Sequence, residues 1–444
     1  MSQNERLALI IGADLYLIRA CLRNSIKPVV VHGPGLHDWG FIEIPSEVET
    51  VFAEDTSSVE SVLFSLHRAG LADREFICIH TGDEKALVTV AALAKVLGIS
   101  VAVDTDVALR FRDKWLQKKT LSEAGIEVAK FHLIEDVYHP DLAGIADFDK
   151  AVLKPIAGAG ARNTSVVQGR EELIAKCAEY SRSGMPQRTF VLEEFMPGDE
   201  WIVDGVVFDG ELRFFSVSTY GEPCLSTVEL NRALQVEVLD PIIDAGVYEL
   251  ARSVAENTLQ TLGLHRGVFH MELFYQAETG KLVFGECAAR TGGILQPEIV
   301  EAKFGVDLAV AAICCAAGID PQIEPSIRPD TVGSTYLNNR PGILVGYPSP
   351  AEVRALPGVE YLRLELPYGF RMADALASTT EAVGSVVLSG STKEEFRSRR
   401  DFLAQWFDER LVVVPAHATN RELREWQRAN WPDSVSSFST YSDD

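Results

Sequence analysis

The chain has 444 residues, of which 47% are hydrophobic and 24% are charged. That balance is typical of a globular protein, and roughly 150 residues per domain favours about three domains. A net charge of −23 excludes a main function in duplex nucleic-acid binding, which needs a cationic surface. The seven cysteines are scattered without metal-finger spacing, and the N-terminus shows neither a leader pattern nor a membrane-spanning run. We therefore expect a reduced, cytoplasmic protein with no membrane association.

The N-terminal residues 1–106 predict a small α/β domain. Apolar runs alternate with helical spacing, which is the pattern of β-α-β units in a parallel sheet. In chain order, a strand, helix, strand, strand, helix and strand are predicted at residues 7–11, 15–23, 28–31, 76–80, 85–97 and 99–103. Gly98 is placed to end the second helix as its C-cap.

The middle region, residues 107–328, predicts a mixed α+β arrangement. One helix is predicted over residues 112–124, ended by Gly125, and a loop over residues 136–149. Strands are predicted at residues 130–134, 151–154, 189–194, 201–208, 211–219, 267–275 and 281–286, and further helices at 171–181 and 247–262. Asp209-Gly210 and the turn at residues 278–280 indicate two hairpins.

Residues 329–430 form a third region, rich in valine, proline and glycine. This composition predicts mostly strands, with one helix over residues 393–406. The Ser/Asp-rich tail 431–444 is predicted to be disordered. The expected fold class is therefore α/β in the N-terminal region and α+β in the remainder, with a β-rich C-terminal domain.

A lysine and a glycine-rich loop suggest a phosphate site. Lys154 ends a predicted strand and can place a point charge on a phosphate. The loop that follows, residues 156–165, includes Gly158 and Gly160, and glycines let backbone N–H groups approach an anion closely. No Gly-Lys-Ser/Thr follows, so this is not a Walker loop. A surface lysine beside an ordinary turn is the simpler alternative.

Acidic residues follow the next predicted strand. Glu193 and Glu194 lie at its end, so a carboxylate there can accept a hydrogen bond from an adenine amino group. The backbone of Phe195 and Met196 can contact the ring edge, and Glu200 is placed for ribose hydroxyls. A solvated acidic loop is the alternative interpretation.

Two glutamates on one predicted hairpin suit a divalent cation. Glu272 interrupts an apolar run and shares a strand face with His270, while Glu286 ends the partner strand. A buried, unpaired carboxylate costs several kcal/mol, so a ligand is expected, and Mg²⁺ prefers oxygen ligands. Arg290, four residues after Glu286, can stabilise developing negative charge or simply neutralise the acidic pair.

Together these residues resemble the ATP-grasp superfamily, over residues 1 to about 420. The segments that carry the resemblance are Asp113-Lys114, Lys154-Pro155 with its glycine loop, Glu193-Glu194-Phe195-Met196 with Gly198 and Glu200, Glu272, and Glu286 to Gly293 with Arg290 and Gly292-Gly293. The resemblance implies a Rossmann-like preATP-grasp domain at residues 1–106, an ATP-grasp module at 107–328 and a β-rich domain at 329–430. Residues 286–293 and 341–390 look like L-amino acid ligases, whereas the biotin carboxylase branch is more distant.

The resemblance also implies roles for single residues. Those that would bind ATP are Lys114, Lys154, Gly158, Gly160, Ser165, Glu193, Glu194, Phe195, Met196 and Glu200. Glu272 and Glu286 would hold Mg²⁺, with Mn²⁺ as the alternative, and Arg290 would be catalytic by stabilising the transferred phosphoryl group. Loop 157–165 would close over the phosphates. Many members carry an asparagine where this chain has Ala288, which leaves the number of metal ions open.

The implied function is an ATP-dependent carboxylate–amine ligase that forms an amide or peptide bond through an acyl phosphate. Its expected partners are a small-molecule carboxylate and amine, such as amino acids or small peptides, without nucleic acid or membrane. Two alternatives stay open: a carboxylate–thiol ligase that loads a carrier protein, and a non-catalytic nucleotide-binding subunit. A homodimer is also left open.

Overall fold

The structure is a computed structural model that describes residues 6–34, 44–145, 148–230, 232–293, 295–373, 378, 382–417, 419–422 and 424–425. The predicted disordered tail, residues 431–444, lies outside the described residues and stays a prediction. Among the described helices, none combines the length and the apolar character that a membrane crossing requires.

A four-stranded parallel sheet builds the N-terminal region, in the order β3-β2-β1-β4. Its elements are β1 Leu7–Ile11, α1 Leu15–Arg23, β2 Lys27–His32, β3 Glu49–Phe52, α2 Val59–Arg68, β4 Cys78–His80 and α3 Leu87–Leu97. Most of the predicted elements are confirmed, since β1 and the centre of β2 are apolar and buried, as expected of a parallel sheet that is covered on both faces. The strands end at one edge, where Gly12, Gly33 and Gly82 lie in the connecting loops.

The predicted strand at residues 99–103 is wrong. This segment forms a single hydrogen bond to β4, from Ile79 N to Ser100 O at 2.9 Å. The Ser100 hydroxyl donates to Ala316 O at 2.8 Å, and Arg266 donates to Val101 O at 2.9 Å. Because these side-chain bonds replace a ladder, the segment docks against the neighbouring helix instead of extending the sheet.

The helix predicted over residues 112–124 is α5 Lys114–Glu123, and a break at Asp113 separates it from α4 Thr105–Arg112, which was not predicted. Asp113 is extended and its carboxylate accepts from Leu116 N at 2.9 Å, so it caps the second helix. Lys114 N donates to Ile156 O at 2.8 Å, which ties the start of α5 to the glycine-rich loop. The break therefore places Lys114 at that loop.

A small antiparallel sheet, in the order β5-β8-β6-β7, forms one side of the candidate active site that is described below. Its elements are β5 Phe131–Ile134, β6 Ala151–Pro155, β7 Ser165–Val167, α6 Gly169–Ser183 and β8 Phe190–Glu194. The β6 and β8 strands are directly paired, with Lys154 opposite Val191. Lys154 and Glu193 are thereby brought to the same sheet.

An eight-stranded sheet forms the centre of the molecule, in the order β13-β12-β9-β10-β11-β14-β18-β16. The elements up to the third region are β9 Asp199–Phe208, β10 Glu211–Tyr220, α7 Cys224–Glu229, β11 Gln235–Val238, α8 Ala245–Leu262, β12 Gly267–Gln276, β13 Lys281–Ala288, α9 Gln296–Phe304 and α10 Leu308–Ala316. The sequence predicted both hairpins but missed α7 and β11. Apolar side chains of α1, α9 and α10 pack on one face of the sheet, and those of α4, α5 and α8 on the other.

The C-terminal region continues this sheet and adds a three-stranded one, in the order β17-β15-β19. Its elements are β14 Thr331–Leu337, β15 Gly342–Gly346, α11 Pro350–Arg354, β16 Val359–Leu364, β17 Arg371–Met372, β18 Gly384–Gly390, α12 Lys393–Asp408 and β19 Val412–Val414. Because β11 pairs with β14, the predicted domain boundary at residues 328/329 falls between strands of one sheet. The domain limits stay a prediction.

Candidate active site

Charged side chains from α5, β6, β8 and β13 converge between the small and the large sheet. Lys114 Nζ lies 2.7 Å from Glu286 Oε2, and Lys154 Nζ lies 3.6 Å from the same oxygen. Lys154 Nζ also lies 3.0 Å from Glu193 Oε2. Burial acts to lower the pKa of Lys154, but Glu193 and Glu286 outweigh it and raise that pKa. The pKa of Glu286 is lowered, because Lys114 and Lys154 outweigh its burial. Lys154 therefore stays cationic, as phosphate binding requires.

A third lysine, which the sequence analysis missed, completes this cluster. Lys118 is only 1% exposed, and its Nζ donates to Gly285 O at 2.7 Å. The same nitrogen lies 3.3 Å from Glu193 Oε2. Burial lowers the pKa of Lys118 to about 8, although Glu193 opposes the shift. Lys118 follows Lys114 by four residues, so one face of α5 supplies both lysines.

Glu193 has one carboxylate oxygen in use and one without a partner. Its Oε2 faces Lys118 and Lys154, whereas Oε1 is buried and accepts no hydrogen bond from the described residues. An unmet buried acceptor of this kind is costly, about 1–3 kcal/mol or more for a charged group. The oxygen is therefore suited to accept from a bound N–H group.

The residues after β8 form a short exposed connection. Glu194 is exposed, and its Oε2 lies 3.8 Å from Lys130 Nζ. The Phe195 ring lies under Lys150 Nζ, 3.6 Å from the ring centroid, and Phe195 N donates to Lys150 O at 3.2 Å. Met196 is half-buried in the same connection. These three residues thus border the cluster from the side of the small sheet.

Glu272 and Glu286 lie directly opposite each other on β12 and β13. Glu272 Oε1 accepts from the Tyr220 hydroxyl at 3.4 Å and lies 3.6 Å from His270 Nε2. Two facing carboxylates offer the oxygen donors that Mg²⁺ prefers, so the residues present fit such an ion. Ala288, the position that lacks an asparagine, is opposite His270 in the same register.

Glu200 lies close to this pair. Its Oε2 accepts from Cys224 N at 2.9 Å. Ligand atoms of Glu200, Cys224 and Glu272 all lie within 4.8 Å of one another. Burial, together with the negative charge of Glu272, raises the pKa of Glu200 to about 8. Glu200 is thus a buried carboxylate with an acidic neighbour, unlike a solvated acidic loop residue.

Arg290 is held by a residue of the N-terminal region. Its Nε donates to Glu84 Oε2 at 3.1 Å, its Nη2 donates to the same oxygen, and its Nη1 donates to Thr291 O at 2.7 Å. The Glu84 carboxylate also faces Arg112, whose Nη1 donates to Gly158 O at 3.3 Å. Burial acts to lower the pKa of Arg290, but the negative charge of Glu84 and its hydrogen bonds outweigh burial and raise the pKa above its usual value. Glu84 therefore links the arginine to the glycine-rich loop.

The glycine-rich loop is fixed at both ends. Gly160 has a φ of 61°, a left-handed conformation that glycine adopts without strain. Its carbonyl accepts from the Ser378 hydroxyl at 2.7 Å. Ser165 begins β7, and its hydroxyl lies 2.8 Å from the Tyr180 hydroxyl. Gly158, Gly160 and Ser165 are thus placed beside Lys154 at the rim of the cluster.

A buried Asp–His pair supports Glu272 from behind, and the sequence did not reveal it. His270 Nδ1 lies 2.9 Å from Asp204 Oδ1, and Asp204 is fully buried. Burial acts to lower the pKa of His270, but the charge of Asp204 and its hydrogen bond raise it to about 10, which favours a cationic ring between Asp204 and Glu272. A Cβ on Gly292 would lie 2.6 Å from His270 Nδ1, so the pair requires glycine in the loop after Arg290.

Comparisons with known proteins agree with this arrangement. No protein-family profile matches the chain. It is 27% identical over 318 residues to the L-arginine-specific L-amino acid ligase of Bacillus subtilis, covering 71% of this chain and 74% of that protein. It is 27% identical over 239 residues to dapdiamide A synthase of Enterobacter agglomerans, covering 51% of this chain and 53% of that protein.

Solved structures share the whole fold. An L-amino acid ligase from Bacillus licheniformis superposes with a TM-score of 0.76 at 18% identity, covering 94% of this chain and 100% of that chain. The biotin carboxylase domain of a Hydrogenobacter thermophilus 2-oxoglutarate carboxylase, in complex with MgADP, superposes with a TM-score of 0.68 at 16% identity, covering 92% and 90%. These structures confirm the predicted ATP-grasp fold. The chain has the ATP-grasp fold and resembles the L-amino acid ligases, as its sequence predicted.

Proposed function

We propose that the protein joins the carboxylate of one amino acid or small peptide to the amine of another, with ATP, in the cytoplasm. The observation that carries this proposal is a pair of facing carboxylates, Glu272 and Glu286, of which Glu286 contacts the largely buried Lys114 and Lys154. Seven free cysteines are in keeping with a reducing compartment. The predicted homodimer belongs to the same proposal, and sedimentation of the purified protein measures it.

The nucleotide is assigned to the rim between the two sheets. Lys114 and Lys154 bind its phosphates, and the loop with Gly158, Gly160 and Ser165 closes over them. The unpartnered Oε1 of Glu193 accepts from the adenine amino group. The residues that complete the adenine and ribose contacts are Glu194, Phe195, Met196 and Glu200.

Glu272 and Glu286 are the residues that would hold Mg²⁺, or Mn²⁺ in its place. Such an ion neutralises charge on the transferred phosphoryl group. Glu286 lies nearer than Glu272 to Arg290 along the chain, since both belong to the end of β13 and the loop after it. Ala288 supplies no ligand atom, so the two glutamates carry the binding.

The reaction follows from the arrangement of charges. The γ-phosphoryl group of ATP passes to a carboxylate oxygen of the donor, and ADP leaves. The amine nitrogen of the acceptor then attacks the acyl carbon, loses a proton, and releases phosphate as the amide forms. Arg290, held in place by Glu84, stabilises negative charge on the transferred group. Closure of the glycine-rich loop keeps water from the acyl phosphate.

Phosphate release and mass spectrometry with a panel of amino-acid pairs test the proposal. Stimulation by a carboxylate and an amine together, with an amide product of the expected mass, supports it. Release that depends on a carrier thiol would instead indicate a carboxylate–thiol ligase. ADP binding without release in any mixture would indicate a non-catalytic nucleotide-binding subunit.

Glu200→Gln is expected to raise the KM for ATP about tenfold and to change kcat by less than about twofold. The reason is that a ribose contact is present in both the ground and transition states and is worth roughly one hydrogen bond. Steady-state kinetics with varied ATP measures both constants. Since Glu200 lies within 4.8 Å of Glu272, a loss confined to kcat would place it at the metal instead.

His270→Gln is expected to raise the Mg²⁺ concentration for half-maximal ADP binding about tenfold. Residues that orient a metal ligand commonly change metal affinity by about 10–100-fold when replaced. Titration calorimetry of ADP at varied Mg²⁺ measures the shift. His265→Gln, on an exposed residue, is the matched control. An unchanged Mg²⁺ requirement in His270→Gln, with the fold intact, would show that the Asp204–His270 pair has only a structural role.

A further inference from the structure

A pocket with charged residues in its lining opens between the N-terminal and C-terminal regions. Its volume is about 990 Å³, and it lies where the loops after β1, β2 and β4 face strand β16 of the C-terminal region. The charged and aromatic residues that line it and matter here are Asp14, Tyr16, Arg19, Asp83, Arg354 and Arg363. The proposed reaction uses none of them.

The pocket adjoins the residue that holds Arg290. Asp83, which lines it, precedes Glu84 in the chain, and Glu84 binds Arg290. Asp14 lies on the same side: a Cβ on Gly82 would lie 1.9 Å from Asp14 Oδ2. This carboxylate therefore occupies the space above Gly82. Asp14 and Asp83 together form the acidic wall of the pocket, on the side of Glu84.

A third carboxylate lies behind the tyrosines of the pocket. Glu298, in the first turn of α9, is 8% exposed and lies next to the hydroxyl groups of Tyr16 and Tyr361. Burial raises its pKa, while hydrogen bonds from Tyr16 and Tyr361 and the charge of Arg363 act to lower it. Glu298 therefore adds a buried acidic group to this side of the pocket.

The pocket is lined by three arginines, Arg19, Arg354 and Arg363, and by three carboxylates, Asp14, Asp83 and Glu365. Arg363 is paired, since its Nη2 lies 2.7 Å from Glu365 Oε1 and its Nη1 donates to Tyr16 Oη at 2.9 Å. Arg19 and Arg354 are exposed, and neither forms an ion pair with any side chain in the described parts of the chain. Acidic residues outnumber basic ones, 64 to 41, so arginines without a carboxylate partner in a pocket indicate an anionic ligand.

We propose that this pocket binds the acceptor amino acid as a zwitterion, with its amine on the acidic wall and its carboxylate on Arg19 and Arg354. The inference rests on the proposed function. In the acceptor, the amine reacts and the carboxylate stays free in the product, so the amine must face Arg290 and the carboxylate must point away. A donor would need the reverse orientation. An acidic wall beside Glu84 fits the acceptor and not the donor.

The double variant Arg19→Gln/Arg354→Gln tests the pocket with paired acceptors, an amino acid and its amide, which lacks the carboxylate. For the free amino acid, kcat/KM is expected to fall at least about tenfold, the effect of losing a charged hydrogen bond. For the amide, it is expected to change less than about twofold. The KM values for ATP and for the donor should stay the same. Arg182→Gln, on an exposed arginine of α6, is the matched control.

Calorimetric binding of the acceptor in the presence of ADP and Mg²⁺ separates the two hypotheses. If wild-type protein forms no amide with any pair, the proposed function fails, while weaker acceptor binding in the double variant still supports the pocket. The pocket assignment is overturned if wild-type protein forms amides and the double variant shows the same change in kcat/KM for the amino acid and for its amide. It is also overturned if kcat/KM changes for neither acceptor.

Glu298→Gln gives an independent measurement on the acidic side. It keeps the shape of the side chain and removes the charge, so acceptor affinity should fall severalfold while donor-dependent ADP formation continues. Unchanged acceptor affinity in this variant, with the fold intact by circular dichroism, would exclude Glu298 from acceptor recognition.

Discussion

Glu286→Gln is expected to lower the rate of amide formation by about 10³-fold or more, which corresponds to roughly 4 kcal/mol of transition-state stabilisation. Glu286 is the point where the lysine cluster and the proposed metal meet, since Lys114 and Lys154 both contact its Oε2. Removal of its charge weakens metal binding and also leaves the lysines without their counter-charge. Coupled phosphate-release kinetics at saturating ATP measures the loss.

Glu272→Gln should cost no more than Glu286→Gln, because Glu272 is also supported by Tyr220 and His270 and contacts neither lysine in the described structure. Glu127→Gln is the control. It removes an exposed carboxylate whose Oε2 lies 3.1 Å from Nζ of Lys281, at the start of β13 and at the opposite end of that strand from Glu286. Amide formation by Glu286→Gln at near wild-type rate, at any Mg²⁺ concentration, would reject the metal assignment. Ala288→Asn is expected to tighten metal binding by adding an oxygen ligand.

The residues that sequence predicted well are those whose position is set locally. Glu272 and Glu286 lie on one hairpin, and a short turn fixes which residues of its arms face each other. Lys154 and Glu193 end strands that are strongly apolar, so their polar side chains stood out against the pattern. The roles assigned to these residues stay predictions, although the structure brings the side chains together.

Other features depended on contacts distant in sequence and gave little local signal. Glu84 reaches Arg290 across 206 positions, and Asp204 reaches His270 across 66. Lys118 had a usable signal, because its spacing of four from Lys114 places both on one helix face. The start of α5 was predicted two residues early, at residue 112 instead of Lys114, although Asp113 is a residue type that commonly caps a helix N-terminus. The false strand at residues 99–103 shows the opposite error, where an apolar segment packs without forming a ladder.

Lys154→Met is expected to reduce ATP turnover by on the order of 10²-fold or more while the fold persists. The lysine supplies a buried positive charge at the strand end beside the glycine-rich loop, and methionine keeps most of its apolar length. Glu193 still has Lys118 at 3.3 Å and Glu286 still has Lys114 at 2.7 Å, so neither carboxylate is left alone. Thermal unfolding and phosphate release on the same preparation measure stability and turnover separately.

Lys95→Met, on the exposed side of α3, is the control for removing a positive charge away from the cluster, and it should keep wild-type turnover. Lys114→Met should show a milder loss than Lys154→Met if the loop lysine carries more of the phosphate contact. Near wild-type turnover in a folded Lys154→Met protein would show that Lys154 does not bind the phosphates, because loss of a positive charge that the reaction requires must lower the rate.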